Sequence, residues 1–169
     1  MSKNADYWIK ELGLAPHPEG GYFKRMFCSP ESFGRPPAPR FDGDRPFYSA
    51  IYYLLRSGQF SAVHRLKNDE IWNYCSGNPV RIFSLDQNRG LCKQDIGPDP
   101  GAGQTFMLRV PARAWFWGLP LDGNADFSLV TCFVSPAFDY QDFELGGKKK
   151  LMSRFPEHAD QLAKYCIRP

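Results

Sequence analysis

A chain of 169 residues with 43% hydrophobic residues is long enough for one domain with a substantial core. A formal net charge of +3 gives no strong electrostatic case for nucleic acid or a bilayer surface, although it suits a small anionic ligand. No stretch has the length or hydropathy of a signal peptide or a spanning helix, so the reading is a soluble, cytoplasmic protein. Its five cysteines, Cys28, Cys75, Cys92, Cys132 and Cys166, are odd in number and lack any CxxC spacing, which reads as reduced thiols.

In chain order, Tyr7, Trp8, Ile9 and Leu12 recur at helical spacing behind Asn4 as a candidate N-cap and before Gly13 as a stop, which predicts a short helix over about 4–13. HPEGGYFKRMF then offers a turn at Pro18 and Gly20-Gly21, followed by an aromatic strand. Residues 30–46 are rich in Pro, Arg, Asp and Gly and predict a surface loop that is mobile or faces a ligand.

From Phe47 on, strands follow at short intervals: FYSAIYYLLR, FSAVHR, EIWNYCS, PVRIFSLD, a turn at Gln87-Asn88-Arg89-Gly90, LCKQDI, TFMLRVP, ARAWFWG and DFSLVTCFVSP. This cadence predicts an all-β sandwich, jelly roll or barrel. A second short helix is expected over about 156–166, behind Pro156. GGKKK at 146–150 reads as a solvated loop, and PDPGAGQ at 98–104 as a turn, because it lacks the Gly-Lys-Ser/Thr ending of a phosphate loop. With no repeat or linker in view, residues 1–169 form a single domain.

The stretch GQFSAVHRLKNDEIWNYCSG, residues 58–77, fits the first cupin motif, G-x5-H-x-H-x3-E-x6-G, at Gly58, His64, Glu70 and Gly77, with Leu66 in place of the second histidine. The second motif, P-x-G-x-x-H, falls at Pro111, Arg113 and Phe116, where only the proline matches. HPEGGYF, SAIYYLL, FSAVHRLKNDEIWNYCSG, VPARAW and VSPAFDYQDFEL also follow the order seen in the Cupin_5 family, which this chain resembles over about residues 7–156. That resemblance implies a double-stranded β-helix, paired as a homodimer, and a likeness to the sugar-nucleotide epimerases that share the barrel. Where the family pattern carries Glu, Arg, His, Gly and Gln, this chain has Arg25, Cys28, Asn73, Arg113 and Phe116. An activity shared by relatives is therefore expected to be altered here.

Strand alternation carries Phe60, Ala62 and Leu66 to the same face as His64, and Trp72 and Tyr74 to the face of Glu70. Three functions follow. A metal centre is disfavoured, because only His64 and Glu70 of the four cupin ligand positions can coordinate, and His17 before Pro18 suits a turn; no cofactor is expected. The leading function is binding of a small anionic ligand, a nucleotide or nucleotide-sugar, with Trp72 and Tyr74 as stacking surfaces, Tyr52 as a further aromatic contact and Arg25, Arg65 and Arg113 as anion partners. The alternative is a metal-independent epimerase or isomerase of activated sugars, with His64 as base, Glu70 orienting it and Tyr74 returning the proton. A non-catalytic scaffold or storage-like cupin is the third. Trp115 and Trp117 are expected to pack against the other sheet or a dimer partner.

Overall fold

A computed structural model describes residues 3–35, 38–86 and 90–168. The predicted opening helix is α1, Ala5–Leu12: the Asn4 side chain accepts the Tyr7 N–H at 3.0 Å, and Gly13 ends the helix in a left-handed conformation at φ 62°. After it come β1 (Ala15–Pro16), β2 (Tyr22–Cys28), β3 (Ser49–Arg56), β4 (Ser61–Leu66), β5 (Asp69–Gly77) and β6 (Val80–Asp86). The second half holds β7 (Gly90–Ile96), β8 (Met107–Val110), β9 (Trp115–Pro120), β10 (Phe127–Ser135), β11 (Phe143–Leu145), α2 (Lys148–Arg154) and α3 (Ala159–Tyr165).

The strands form two sheets of antiparallel pairs, in the orders β1-β2-β3-β10-β5-β8 and β11-β4-β9-β6-β7. This is the expected jelly roll. Alternation along each strand turns one set of side chains inward, so Tyr53, Leu55, Trp72, Ile82, Phe116 and Val130 interlock between the sheets in one buried cluster. Sheet-on-sheet packing of this kind contributes roughly 1.5–3 kcal/mol per fully buried large side chain.

The C-terminal region departs from its prediction. GGKKK opens α2 instead of a solvated loop, since Leu151, three residues past Lys148, is fully buried. Both α2 and α3 lie on the outer face of the second sheet, where Leu151, Phe155 and Leu162 cover Val63, Leu85, Trp115 and Trp117. The two tryptophans therefore pack under the chain's own helices, with Trp117 stacked on Phe83 at 5.1 Å. Phe60 also turns toward these helices, its ring 5.2 Å from Tyr165, because it precedes β4 and escapes the strand's alternation.

Residues 30–46 are tied down to a degree their composition does not suggest. Arg45 is buried and donates from Nε and Nη2 to the Asp142 carboxylate at 2.8 and 3.2 Å, while Phe41 is also buried. The turn expected at Gln87-Asn88-Arg89-Gly90 lies, except for Gly90, outside the described residues. No helix among the described residues is long and apolar enough to cross a membrane.

Candidate functional site

At one end of the sandwich the sheets part around a cavity of about 330 Å³, walled mainly by apolar side chains such as Ile51, Leu66, Val134, Phe138 and Phe143. Two histidines and two glutamates face it: His17, Glu19, His64 and Glu70. Apolar walls with a few convergent polar groups are the usual form of a small-molecule site.

Glu19 arrives on the turn between β1 and β2. His17 and Gly21 close that turn through a backbone hydrogen bond of 3.0 Å, and the Ala62 N–H donates to the Glu19 carbonyl at 2.7 Å. Gly20 and Gly21 have φ of 108° and 69°, and a Cβ at either would come within 2.5 Å of the Phe60 carbonyl or 2.7 Å of the Leu54 carbonyl oxygen. Only glycine lets the turn lie this close to β3 and the start of β4, which is what drives the Glu19 carboxylate inward.

His64 comes from β4 and meets that carboxylate. Its Nδ1 lies 2.7 Å from the Ala62 carbonyl oxygen, which can only accept, so Nδ1 carries a proton. Nε2 lies 3.2 Å from Glu19 Oε2, and the other carboxylate oxygen accepts from Ser61 Oγ at 2.9 Å. An unprotonated Nε2 facing an ionised oxygen would be repulsive, so one proton must occupy the contact. Burial lowers His64 to about 4 and raises Glu19, two shifts that favour a protonated Glu19 donating to a neutral ring.

His17 completes the group at the same carboxylate oxygen, with Nδ1 3.6 Å from Oε2. The Glu19 N–H points at the same Nδ1 at 3.4 Å, which leaves Nε2 to hold the proton of the neutral ring. Desolvation depresses this imidazole as well.

Glu70, on β5, is 7% exposed and its Oε2 has no hydrogen-bond partner among the described residues. Burial, reinforced by the Glu19 charge, raises it to about 8. Near neutral pH it is a carboxylic acid, a proton donor set in an apolar wall. Beside it the Cys132 thiol is pushed well above its ordinary value, by burial first and the Glu70 charge second.

Several predicted site residues lie elsewhere. Trp72 follows the alternation of Glu70 but sits deeper, 1% exposed in the inter-sheet core, and offers no stacking surface to the cavity. Tyr74 packs at the edge of that core with its hydroxyl donated to the Gly77 carbonyl at 2.7 Å, so it is not placed to return a proton at His64. Tyr52 is on the opposite face of β3, in the cluster under α1. Arg65 points away from the cavity, bound to Glu144 at 2.7 Å from Nε and lying 4.5 Å over the Trp115 ring. Arg113 lines neighbouring grooves, whereas Arg25 does line the cavity from an exposed position on β2.

The motif positions with altered residues also resolve. Phe116 pairs with His64 across β4 and β9, and the two ring centroids are 4.0 Å apart, so a phenyl ring stands where the second cupin motif would supply a ligand. Leu66 adds another apolar wall. Among the described residues, no group of three or more His, Cys, Asp and Glu side chains is placed to hold a metal ion. Glu19 is the functional residue that motif reading missed, since it lies outside both cupin motifs. Its signal was present in HPEGG, where an acid is framed by a histidine and two glycines.

The sequence that builds these sheets matches a family model, described as Cupin_5, Cupin superfamily (DUF985), over residues 6–146. The chain belongs to the Cupin_5 family. Among solved structures it is similar to a protein of Shewanella oneidensis, at 34% identity and TM-score 0.87 with each chain fully covered. It is likewise similar to a hypothetical protein from Leishmania major, at 32% identity and TM-score 0.86 over 96% of this chain and 98% of that one. An oxalate decarboxylase variant from Bacillus subtilis shares the fold at 13% identity and TM-score 0.56, over 91% of this chain and 37% of the other. No curated protein matches this Cupin_5 chain.

Proposed function

We propose that the cavity is a metal-independent proton-transfer site acting on a small carbonyl compound of the sugar class, in an isomerase or epimerase type of reaction. The observation that carries it is the 3.2 Å contact between His64 Nε2 and Glu19 Oε2, held in one tautomer by the Ala62 carbonyl. A substrate that displaces the shared proton to solvent meets an imidazole–carboxylate pair able to accept a proton from carbon. Glu70, protonated near neutrality, supplies a donor for the developing oxyanion of the enol or enolate. Carbon-bound proton removal at His64 and oxygen protonation at Glu70 balance in charge.

Exchange of substrate protons for deuterium tests this without knowledge of the product. Protein in D2O is incubated with aldose and ketose sugars and their phosphates, and loss of the signal of the proton next to the carbonyl is followed by NMR. The wild type is expected to exchange one member of the panel, and His64→Ala is expected to stop it. Binding of a panel member with no exchange in the wild type would overturn the reading.

A second reading is retention of a small anionic ligand without turnover. Arg25 favours it, since this exposed guanidinium lines the cavity. The nucleotide form of that reading loses its support from base stacking, because Trp72 and Tyr74 are occupied in the core.

A further inference from the structure

A polar groove of about 360 Å³ lies beside the cavity, and Leu66 and Phe143 form part of both walls. Arg65, Lys67 and Arg113 line it together with Asp142 and Glu144. The carboxylates are already engaged: Asp142 by Arg45 at 2.8 Å and Lys67 at 3.4 Å, Glu144 by Arg65 at 2.7 Å and Lys150 at 3.7 Å. Lys67 also meets Asp42 at 2.8 Å. Arg113 has no ion pair among the described residues, and its side chain is exposed in the groove.

Arg113 is also the one non-glycine residue with positive φ among the described residues, at 67°. Its N–H donates to the Leu66 carbonyl at 2.7 Å, which fixes the turn between β8 and β9 against the cavity wall. A left-handed turn position is ordinarily filled by glycine, so a long cationic side chain there is held at a cost in local conformation. In the groove's lining three cations, Arg65, Lys67 and Arg113, stand against two carboxylates, Asp142 and Glu144.

We propose that this groove is a phosphate subsite for the ligand of the adjoining cavity, with Arg113 as its principal contact and Lys67 and Arg65 as flanking charges. The guanidinium fork matches two phosphate oxygens, and the shared Leu66 and Phe143 walls bring the phosphate within one small molecule's reach of the cavity. The substrate class narrows accordingly to a phosphorylated carbonyl compound. This inference rests on the proton-transfer reading for what happens in the cavity, though not for the binding of phosphate itself.

Inorganic phosphate and ribose 5-phosphate are titrated at constant ionic strength into wild type, Arg113→Gly, Arg113→Lys and His64→Ala, with melting temperature and calorimetric heat as readouts. Saturable binding of both probes is expected, tighter for the sugar phosphate, with at least tenfold loss in Arg113→Gly and a smaller loss in Arg113→Lys. Glycine suits the left-handed turn, so the Gly variant folds and its loss reports the guanidinium. His64→Ala is expected to bind inorganic phosphate as the wild type does; this result together with absent deuterium exchange in the wild type would sink the proton-transfer reading alone. The subsite is overturned if the wild type shows no saturation or if Arg113→Gly binds phosphate unchanged. Equal affinity for the two probes would overturn its link to the cavity.

Discussion

His64 and Glu19 are joined at 3.2 Å through Nε2 and Oε2, and the other end of each group is already committed, Nδ1 to the Ala62 carbonyl and Oε1 to the Ser61 hydroxyl. The pair therefore has one exchangeable proton and one orientation. Glu19→Gln replaces the oxygen at Nε2 with either an amide N–H₂, which blocks the base, or a carbonyl, which cannot share the proton. Loss of a positioned acid–base group typically costs about 10²–10⁴ in rate. Deuterium exchange in Glu19→Gln should fall by about that range with substrate affinity little changed; a wild-type rate in this variant would remove Glu19 from the reaction.

Glu70 gives the protein a pH signature that is independent of turnover. Its carboxyl is raised from an ordinary 4.5 to about 8, so between these values the folded state holds a proton that the unfolded chain releases. Stability from this group is therefore whole below pH 4.5 and is lost as pH rises toward 8, with a slope of at most ~1.4 kcal/mol per pH unit. His64 acts in the opposite sense: lowered from 6.5 to about 4, it favours the folded state above pH 6.5, and that contribution fades as pH falls through 4. Above pH 6.5 the His64 contribution is constant, and the raised Glu19 carboxyl acts in the same direction as Glu70. Melting curves between pH 6.5 and 8 should show the wild type losing stability more steeply than Glu70→Gln, and parallel curves would contradict the assignment.

Arg45 and Asp142 form a buried pair joining the 30–46 strap to the segment that supplies Phe138, Tyr140 and Phe143 to the cavity. Removing Arg45 leaves the buried Asp142 carboxylate with only Lys67 at 3.4 Å, and breaking a buried pair typically costs about 3–5 kcal/mol, whereas replacing both partners with apolar residues of similar size is often far milder. Arg45→Met should lower the denaturant midpoint strongly, and Arg45→Met with Asp142→Leu should recover much of it. If the double variant is as unstable as the single one, the strap is held by something other than this pair.

The legible and illegible parts of the molecule divide along physical lines. Strand alternation and turn residues located β2 through β10 to within about three residues, because each strand carries its own apolar face in local sequence. The same alternation put His64, Leu66 and Glu70 on the cavity side correctly. It could not say how deep along the barrel each residue sits, which is why Trp72, two residues from Glu70, belongs to the core and not to the site. Glu19 was hidden for another reason: it reaches His64 from 45 positions earlier in the chain through a glycine turn, a contact with no local periodicity. The α2 helix was masked by three lysines in its first turn, although Leu151 is what anchors it.

Arg113 provides a prediction in which the direction is opposite to that of an ordinary side-chain deletion. At φ 67° its Cβ crowds the backbone, a conformation that costs an L-residue roughly 1–2 kcal/mol relative to its normal regions. Glycine adopts it freely but has a more flexible unfolded chain, which offsets about 0.4–1 kcal/mol of that gain. Arg113→Gly should therefore unfold at the same or slightly higher temperature, with a gain of about 0–1.5 kcal/mol, and Arg113→Ala, which keeps the Cβ, should show no gain. Since the guanidinium makes no ion pair among the described residues, little native-state electrostatic energy opposes the change. A Gly variant destabilised by more than about 1 kcal/mol would mean that the side chain holds the β8–β9 turn through contacts of its own, and its weaker phosphate binding would then have to be judged against Arg113→Ala.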